Sequence, residues 1–315
     1  MIEFTFAIVN WNTRDLLARC IQSILDHVGD YTFQILVLDN ASTDGSAEMV
    51  KKQFPEVILV ENDCNSGFAL GHEILLPYSK GKYHILVNSD IELHKGCLQR
   101  ITRTMKDNRR IGVLGPKIVG PDQRVQRSCR RLPSLTLQLW EAIGIGRLMG
   151  GFLNPYHMGS FDHQTSREVP QVMGSFFVIR SSIIPLTGFM DTRFFMYYEE
   201  VDFCKRVAER GFTVYFDAGA EVMHVGGGSS RHVKEQTIRR TMRSMNHYFR
   251  KHRGKWVTVP LALIAGIDTA THTLFAALSL RNPFTVFKAY SLGLLDIVKS
   301  TPANMINGSR HDTLC

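Results

Sequence analysis

The 315-residue chain is 44% hydrophobic and 21% charged, with a formal net charge of +8. That balance excludes an intrinsically disordered protein, and the length suffices for one large core or two smaller ones. Its six cysteines are scattered, with no C-x-x-C pair, which argues against a disulfide scaffold or a zinc site and for a reducing compartment, the cytoplasm by default.

The opening residues "MIEFTFAIVN" lack a basic n-region and place Glu3 before the apolar run, so they read as a first buried strand and not as a signal peptide. Further β-rich runs follow at residues 33–39, 57–62 and 83–90, separated by stretches with helical spacing. In the first of these, Leu16, Leu17, Cys20, Ile21, Ile24 and Leu25 recur at i, i+3 and i+4, and Asn12 or Thr13 stands where a cap belongs. Near-continuous apolar strands alternating with helices predict an α/β fold, a mostly parallel sheet covered by helices.

After residue 120, "LPSLTLQLWEAIGIGRLMGG" predicts a helix entered through Pro133-Ser134 and stopped by Gly150-Gly151. A polar loop rich in His and aromatics runs on to about residue 170, a length that fits mobility. A strand at "VMGSFFVIR", a helix over 199–210 ended by Gly211, and a strand at "TVYFDAGAEVMHV" follow. The basicity is concentrated next: residues 231–255 hold nine Lys/Arg and one Glu, and the rest of the chain is neutral. Two apolar stretches, 256–280 and 283–298, come after it.

Ligands of open parallel sheets bind beyond the carboxyl ends of the strands. Asn10 and Asn12 follow the first strand, Asp39 and Asn40 the second, Asn65 the third, and Asn88-Ser89-Asp90 the fourth. Turn chemistry accounts for any one of these, but four in succession at one edge point to a ligand crevice. No G-x-G-x-x-G follows the first strand and no G-K-[ST] occurs, so dinucleotide and P-loop fingerprints are absent. Asp90 ends a buried strand and suits a divalent cation, because Mg²⁺ and Mn²⁺ favour one or two carboxylates plus substrate phosphate oxygens. That combination points to a nucleoside diphosphate.

The ordered motifs "IVNWN", "VLDNASTDGS", "NSGFALGHE", "VNSD", "MGSFFVIR", "GFMDTRFFMYYEEVDFCKR" and "HVGGGSS" resemble those of family 2 glycosyltransferases, over about residues 4–255. The segment "RRLPS" is similar to one in the rhamnosyltransferase-like branch. The resemblance implies the GT-A (Rossmann-like) fold, a nucleotide-diphosphate sugar donor such as dTDP-rhamnose or a UDP-sugar, an inverting transfer and a divalent metal, Mn²⁺ or Mg²⁺. Carried over by position, Asp39 reads the base, and Asn10, Asn12 and Asn65 line the nucleotide pocket together with Val9, Asn40, Ser42, Asp44, Gly67, Phe68 and Ser89. Asp90 contacts metal or diphosphate. Asn88 stands where a stricter motif has Asp, and His224 is the expected helper ligand. The implied division is a catalytic domain over 1–230, with a nucleotide-binding half to about 120 and an acceptor half over 121–230, then a basic and apolar helical extension over 231–315.

At 100° per residue, Glu199, Asp202 and Arg206 share one face of the 199–210 helix, whereas Glu200 falls among Val201, Phe203, Cys204, Val207 and Ala208. Acids in a first turn complement the helix dipole, which accounts for Glu199 and Asp202 but not for an inward Glu200. An inverting transfer needs a base for the acceptor hydroxyl. Glu200 is therefore the expected base, Glu199 and Asp202 its catalytic neighbours, with Asp202 and Arg206 forming an i, i+4 pair in the favoured orientation, worth a few tenths of a kcal/mol.

The basic segment followed by a Trp-led apolar stretch favours a lipid surface over nucleic acid. Residues 256–280 are nearly long enough to span a bilayer, but Asp268 and His272 interrupt them. Amphipathic helices lying on the cytoplasmic face of the cell membrane are the favoured reading, with a span or a hairpin packed on protein as alternatives. Membrane contact fits an acceptor carried on a polyprenyl diphosphate. A nucleotidyltransferase and a sugar-nucleotide-binding protein without activity remain the competing functions.

Overall fold

The computed structural model describes residues 2–144, 154–226, 234–278 and 283–299. The apolar runs of the first part become β1 (Phe4–Asn10), β2 (Phe33–Asp39), β3 (Ile58–Glu61) and β4 (Tyr83–Asn88), with α1 (Arg14–His27), α2 (Ser46–Gln53) and α3 (Gly67–Leu75) between them. Then come β5 (Ile91–Leu93), α4 (Cys97–Asp107), β6 (Ile111–Val119), β7 (Val125–Gln126), β8 (Cys129–Arg130) and α5 (Leu135–Ala142). The next stretch holds β9 (Arg167–Glu168), β10 (Gln171–Val172), β11 (Phe176–Arg180), the short α6 (Ile184–Thr187), α7 (Glu199–Glu209) and β12 (Thr213–His224). Three helices end the described chain: α8 (Lys234–Arg253), α9 (Thr258–Leu278) and α10 (Pro283–Lys299).

The main sheet has the order β3-β2-β1-β4-β11-β6-β12-β5. Strands β1 to β4 are parallel, as expected, but β11 enters the centre antiparallel to both β4 and β6. An apolar run gives burial and not direction, so this inversion is not legible in sequence. One more departure positions the site. Immediately after Asn88-Ser89-Asp90 the chain forms β5, which pairs antiparallel with the end of β12 so that Ile91 lies opposite His224.

Apolar residues on the two faces of the sheet form separate cores. One contains Phe6, Ile8, Leu17, Ile21 and Val37. The other contains Leu86, Phe177, Val201 and Phe203 and continues without interruption into Phe249 and Leu261 of α8 and α9. The C-terminal helices thus share a core with the sheet. Helix α5 begins at the expected cap, with Ser134 Oγ accepting the Leu137 N–H at 3.2 Å, but it ends at Ala142, short of the expected glycine pair; Gly150-Gly151 lie outside the described residues. In the loop that follows, Phe161 and His163 are buried, and His163 Nε2 accepts the backbone N–H groups of Ser128 and Cys129. This part of the loop is packed, not free.

Helix α8 alters two readings of the sequence. First, Asp202 is fully buried: the face expected to meet solvent is covered by α8. Its carboxylate binds Arg206 Nε at 2.8 Å, Lys251 Nζ at 2.8 Å and His252 Nε2 at 2.8 Å, and Asp191 joins through Lys251 and Arg193. Burial alone would raise the Asp202 pKa, but the Arg206 and Lys251 charges outweigh it and hold the carboxyl below its ordinary value. Ala208, expected on the apolar face, is exposed. Second, the basic segment uses much of its charge internally. Besides Lys251, both Arg239 and Arg243 grip Asp296 of α10, at 2.9 and 3.1 Å.

Helices α9 and α10 pack on each other, with α10 against α8 and α9 against α5. Asp268 and His272 pair with each other, and His272 stacks on Tyr290 at 4.3 Å, so both face the α9–α10 contact. The outer positions Val259, Leu263, Leu274 and Leu278 of α9 and Phe284 and Phe287 of α10 are exposed. Among the described residues, one helical stretch, Lys255–Leu278, has the length and composition to cross a membrane.

Removing one partner from a buried ion cluster leaves uncompensated charge, a cost of about 3–5 kcal/mol. Asp202→Asn is therefore expected to lower unfolding free energy by about 3 kcal/mol in urea titrations at pH 7. Because the folded-state pKa is depressed, this contribution is present above about pH 4 and is lost as pH falls further, through the folded value. The gap between wild type and variant should close on the acid side. A loss below 1 kcal/mol at pH 7 contradicts the clamp.

Candidate active site

A cavity of about 340 Å³ opens beyond the carboxyl ends of β1 and β4. Of the expected residues, Val9, Asn40, Asn65, Gly67, Phe68, Ser89, Asp90, His224, Glu199 and Glu200 line it. The others serve as a frame. Asn10 Nδ2 donates to Asp39 Oδ1 at 2.9 Å and to Ser42 Oγ at 3.1 Å, while Ser42 N donates to Asp39 Oδ2 at 2.9 Å. Asn12, with φ 53°, accepts the Thr43 N–H at 2.7 Å through Oδ1. The helix cap of α1 is neither Asn12 nor the Thr13 side chain: Asp44 Oδ2 accepts the Arg14 N–H at 2.8 Å. Thr13 instead donates to Asn10 Oδ1 and pairs with Ser89 Oγ at 2.7 Å. Asn10, Asp39 and Ser42 thus brace one another beside the cavity, with Ser42 also holding the Asn12 N–H, while Asp44 caps α1 and Asp202 sits in the α8 clamp.

The middle of the site depends on a close backbone approach. Asn40 Oδ1 accepts from Ser66 N and Oγ, and Asn65 Oδ1 accepts the Gly67 N–H at 2.9 Å, fixing the turn into α3. Gly67 has φ +79°, and a Cβ there would lie 2.3 Å from the Phe195 carbonyl oxygen. That carbonyl accepts the Phe68 N–H at 2.8 Å. Only glycine permits this contact, which joins the nucleotide-side loop to the chain leading into α7.

That chain is strained. Tyr197 and Tyr198 both adopt left-handed φ, 70° and 71°, a conformation costing about 1–3 kcal/mol for each non-glycine residue and common where a site is being shaped. Ser244 of α8 holds the Met196 carbonyl at 2.9 Å. The strain aims the first turn of α7 into the cavity. Glu199 Oε2 and Glu200 Oε2 are buried without a hydrogen-bond partner among the described residues. Burial first, and then the Glu200 charge, push the Glu199 carboxyl well above the ordinary range. Burial also raises Glu200, opposed by backbone donors and the Arg130 guanidinium. Both carboxyls are thus raised, and burial is the first cause for each.

Also in the cavity lining, His224 Nε2 lies 3.3 Å from Asp90 Oδ1, and the Val225 N–H bonds the Asp90 carbonyl at 3.0 Å. Gln126 makes two bonds to His224: its Nε2 donates to the His224 carbonyl at 2.8 Å, and its Oε1 faces His224 Nδ1 at 2.9 Å. The first bond fixes the amide, so Oε1 is an acceptor and Nδ1 carries a hydrogen. In the neutral ring Nε2 then holds a lone pair directed at a carboxylate oxygen, an arrangement that a cation between them would reconcile. Asp90 and His224 thus fit a divalent ion completed by substrate oxygens; among the described residues no group of three or more His, Cys, Asp or Glu is assembled for a metal.

Sequence reasoning did not find Trp11, Arg130, Thr237 or Arg240, which also line the cavity. Arg130 stood in the quoted "RRLPS" without a role. Arg240 was hidden in the basic run.

The curled central sheet with its cavity at the strand ends is the fold of GT-A glycosyltransferases. The mannosyltransferase PcManGT from Pyrobaculum calidifontis, solved with GDP-Man and Mn²⁺, superposes with a TM-score of 0.56 at 14% identity, covering 94% of this chain and 86% of that one. TarS 1-349 of S. aureus gives 0.57 at 13% identity, covering 96% and 82%. The model of glycosyl transferase family 2 matches residues 5–184, and the chain belongs to that family. It is 29% identical over 206 residues to the N-acetylglucosaminyl-diphospho-decaprenol L-rhamnosyltransferase of Mycobacterium tuberculosis, a match spanning 60% of this chain and 66%, just under two thirds, of that relative.

A methyl group at Gly67 would force the Phe195 carbonyl away. Gly67→Ala is expected to lower stability by about 2 kcal/mol or more, from positive φ and backbone overlap together, with a matching fall in melting temperature. An unchanged melting temperature contradicts the close approach.

Proposed function

We propose that this protein is an inverting hexosyltransferase of cell-surface polysaccharide synthesis. It moves a sugar, rhamnose being favoured, from a nucleotide-diphosphate donor to a hydroxyl of a lipid-linked saccharide or related glycan at the cytoplasmic face of the membrane. The observation carrying this reading is that the pair of glutamates at the head of α7 lines one cavity with Asp90 and His224. The relative in Mycobacterium tuberculosis supports rhamnose and a polyprenyl-diphosphate acceptor by its name.

Trp11, Val9 and Asn65 are suited to hold the nucleoside, with Asp39 set beside the cavity by Asn10. Asp90 and His224 would hold the divalent cation, which when bound neutralises the leaving diphosphate. A nitrogen ligand beside a carboxylate favours Mn²⁺ over Mg²⁺. Glu200 takes the proton from the acceptor hydroxyl as that oxygen attacks the anomeric carbon. Glu199 lines the cavity beside it. A thermal-shift panel of dTDP-rhamnose and UDP-sugars with Mn²⁺ or Mg²⁺ identifies the donor, and failure of all to stabilise the protein would overturn the nucleotide-sugar reading.

Glu200 serves as a base only when ionised, so turnover is expected to decline as pH falls through a midpoint above the ordinary glutamate value of about 4.3. Glu199→Gln leaves Glu200 as the titrating carboxyl and should leave that acid limb in place. Glu200→Gln should reduce turnover about 10²–10⁴-fold with donor binding intact, which also separates a transferase from a binding protein. If Glu199→Gln is inactive and Glu200→Gln works normally, Glu199 is the base.

The exposed apolar positions of α9 and α10 would rest in the membrane interface. Because Arg239, Arg243 and Lys251 are engaged internally, binding to anionic vesicles is expected to depend only moderately on salt. Each leucine inserted contributes roughly 1.5–3 kcal/mol, so Leu263→Glu with Leu274→Glu should weaken vesicle binding by tenfold or more in flotation assays. Undiminished binding by this variant contradicts the apolar platform.

A further inference from the structure

Several buried polar atoms along the cavity have no part in the displacement just described. Gln171, Ser128 and Ser175 each line it with only 3% of their surface exposed. Gln171 Oε1, Ser128 Oγ and Ser175 Oγ have no hydrogen-bond partner among the described residues. The Gln171 amide is held by its donor end: Nε2 donates to the Arg131 carbonyl at 3.5 Å, and the amide also meets the Tyr156 hydroxyl. Ser128 Oγ sits beside the Cys129 thiol, a weak partner. Buried polar atoms without partners are rare and costly in folded proteins, and a ligand that brings hydroxyl groups removes the cost.

Backbone contacts fix the order of these residues along the chain. Gln171 and Val172 of β10 pair with Arg130 and Cys129 of β8, and the Met173 N–H donates to the Ser128 carbonyl at 2.8 Å. Next, Gly174 packs on the expected base: a Cβ there would lie 3.5 Å from Glu200 Cβ and 3.6 Å from its Cγ. Last, the Ser175 carbonyl accepts the Asn88 N–H at 2.8 Å, two residues before Asp90. The segment 171–175 thus touches the β8 ribbon, Glu200 and the end of β4 in that order. An inverting displacement puts the leaving group and the attacking hydroxyl on opposite sides of the anomeric carbon. With the diphosphate at the Asp90 end, the β8–β10 end is left for the acceptor. The unpartnered atoms there are an amide oxygen and a hydroxyl, while the charge of Arg130 beside them acts on Glu200 and Tyr156. Such atoms suit the hydroxyl groups of a neutral sugar ring.

Resting on the transferase reading above, we propose that Gln171 and Ser128 form the subsite that holds hydroxyl groups of the acceptor sugar beside Glu200. The donor sugar has the same chemistry, so the test separates the two sources. The full-length protein with UDP or dTDP and Mg²⁺ is titrated by ligand-observed NMR with methyl glycosides of hexoses, 6-deoxyhexoses and N-acetylhexosamines. Wild type is expected to bind at least one of these in the millimolar range. Gln171→Leu removes the amide at nearly constant volume and should weaken that glycoside about fivefold or more, the usual worth of a neutral hydrogen bond. Ser128→Ala should weaken it too, by about twofold or more, and is the variant to read should Gln171→Leu fail to fold. Binding of dTDP-rhamnose or a UDP-sugar should not change in either variant. Wild type that binds none of the glycosides overturns the subsite, as does undiminished binding by the folded variants. Weaker binding of the nucleotide sugar with unchanged nucleoside diphosphate binding assigns the pair to the donor sugar and overturns it too. None of these readouts needs turnover, so a failure of the transferase reading shows separately in the glutamate variants.

Discussion

The carboxylate of Asp202 has no exposure to water and is held by Arg206, Lys251 and His252. A buried charge is tolerable only with such partners, and removing any of them is costly. The cluster fastens α8 to α7 two residues beyond Glu200, so the placement of the glutamate pair and the docking of the C-terminal helices are one constraint. From that joint α8 reaches in two directions. Ser244 braces the strained chain before α7, and Arg239 and Arg243 hold α10. The C-terminal helices belong to the architecture of the cleft.

The Asp90–His224 part of the cavity depends on a backbone pairing. The chain reverses directly after Asp90 into β5, whose register against β12 sets Ile91 opposite His224. Strand geometry then keeps the two candidate ligands adjacent with or without a cation. Gln126 completes the arrangement by fixing the histidine tautomer through two bonds to one residue. The nucleotide-side loop and the chain leading into α7 meet at Gly67, where the approach of Phe195 leaves no room for a side chain.

Much of this was legible in the sequence because the signals are local. Apolar runs ending in Asn or Asp marked β1, β2 and β4 within a residue or two. The 100° spacing set Glu200 apart from Glu199, but in the structure both line the cavity and Glu199 is the more buried. What the sequence concealed was non-local. Asn10 and Asn65 look alike after strands, yet Asn10 turns to Asp39 and Ser42, about thirty residues away, while Asn65 bonds Gly67 two residues on and lines the cavity. The basic run from 231 to 255 read as a membrane-seeking patch because its partners, Asp191, Asp202 and Asp296, lie some 45–60 residues away in sequence. Arg240 was indistinguishable from the arginines around it until α8 was seen against Phe195. The face of α7 bearing Asp202 read as solvated for the same reason: periodicity reports polarity, and a polar face buried against opposite charge is still polar.

A single displacement with Glu200 as base inverts the anomeric centre, because the acceptor oxygen attacks from the side opposite the departing diphosphate. Proton NMR of the glycoside formed from the matching nucleotide sugar and acceptor, with Mn²⁺ present, reads that configuration directly. Inversion relative to the donor is the expected result. Retention would require a second displacement or attack from the donor's own face, and would contradict the role given to Glu200.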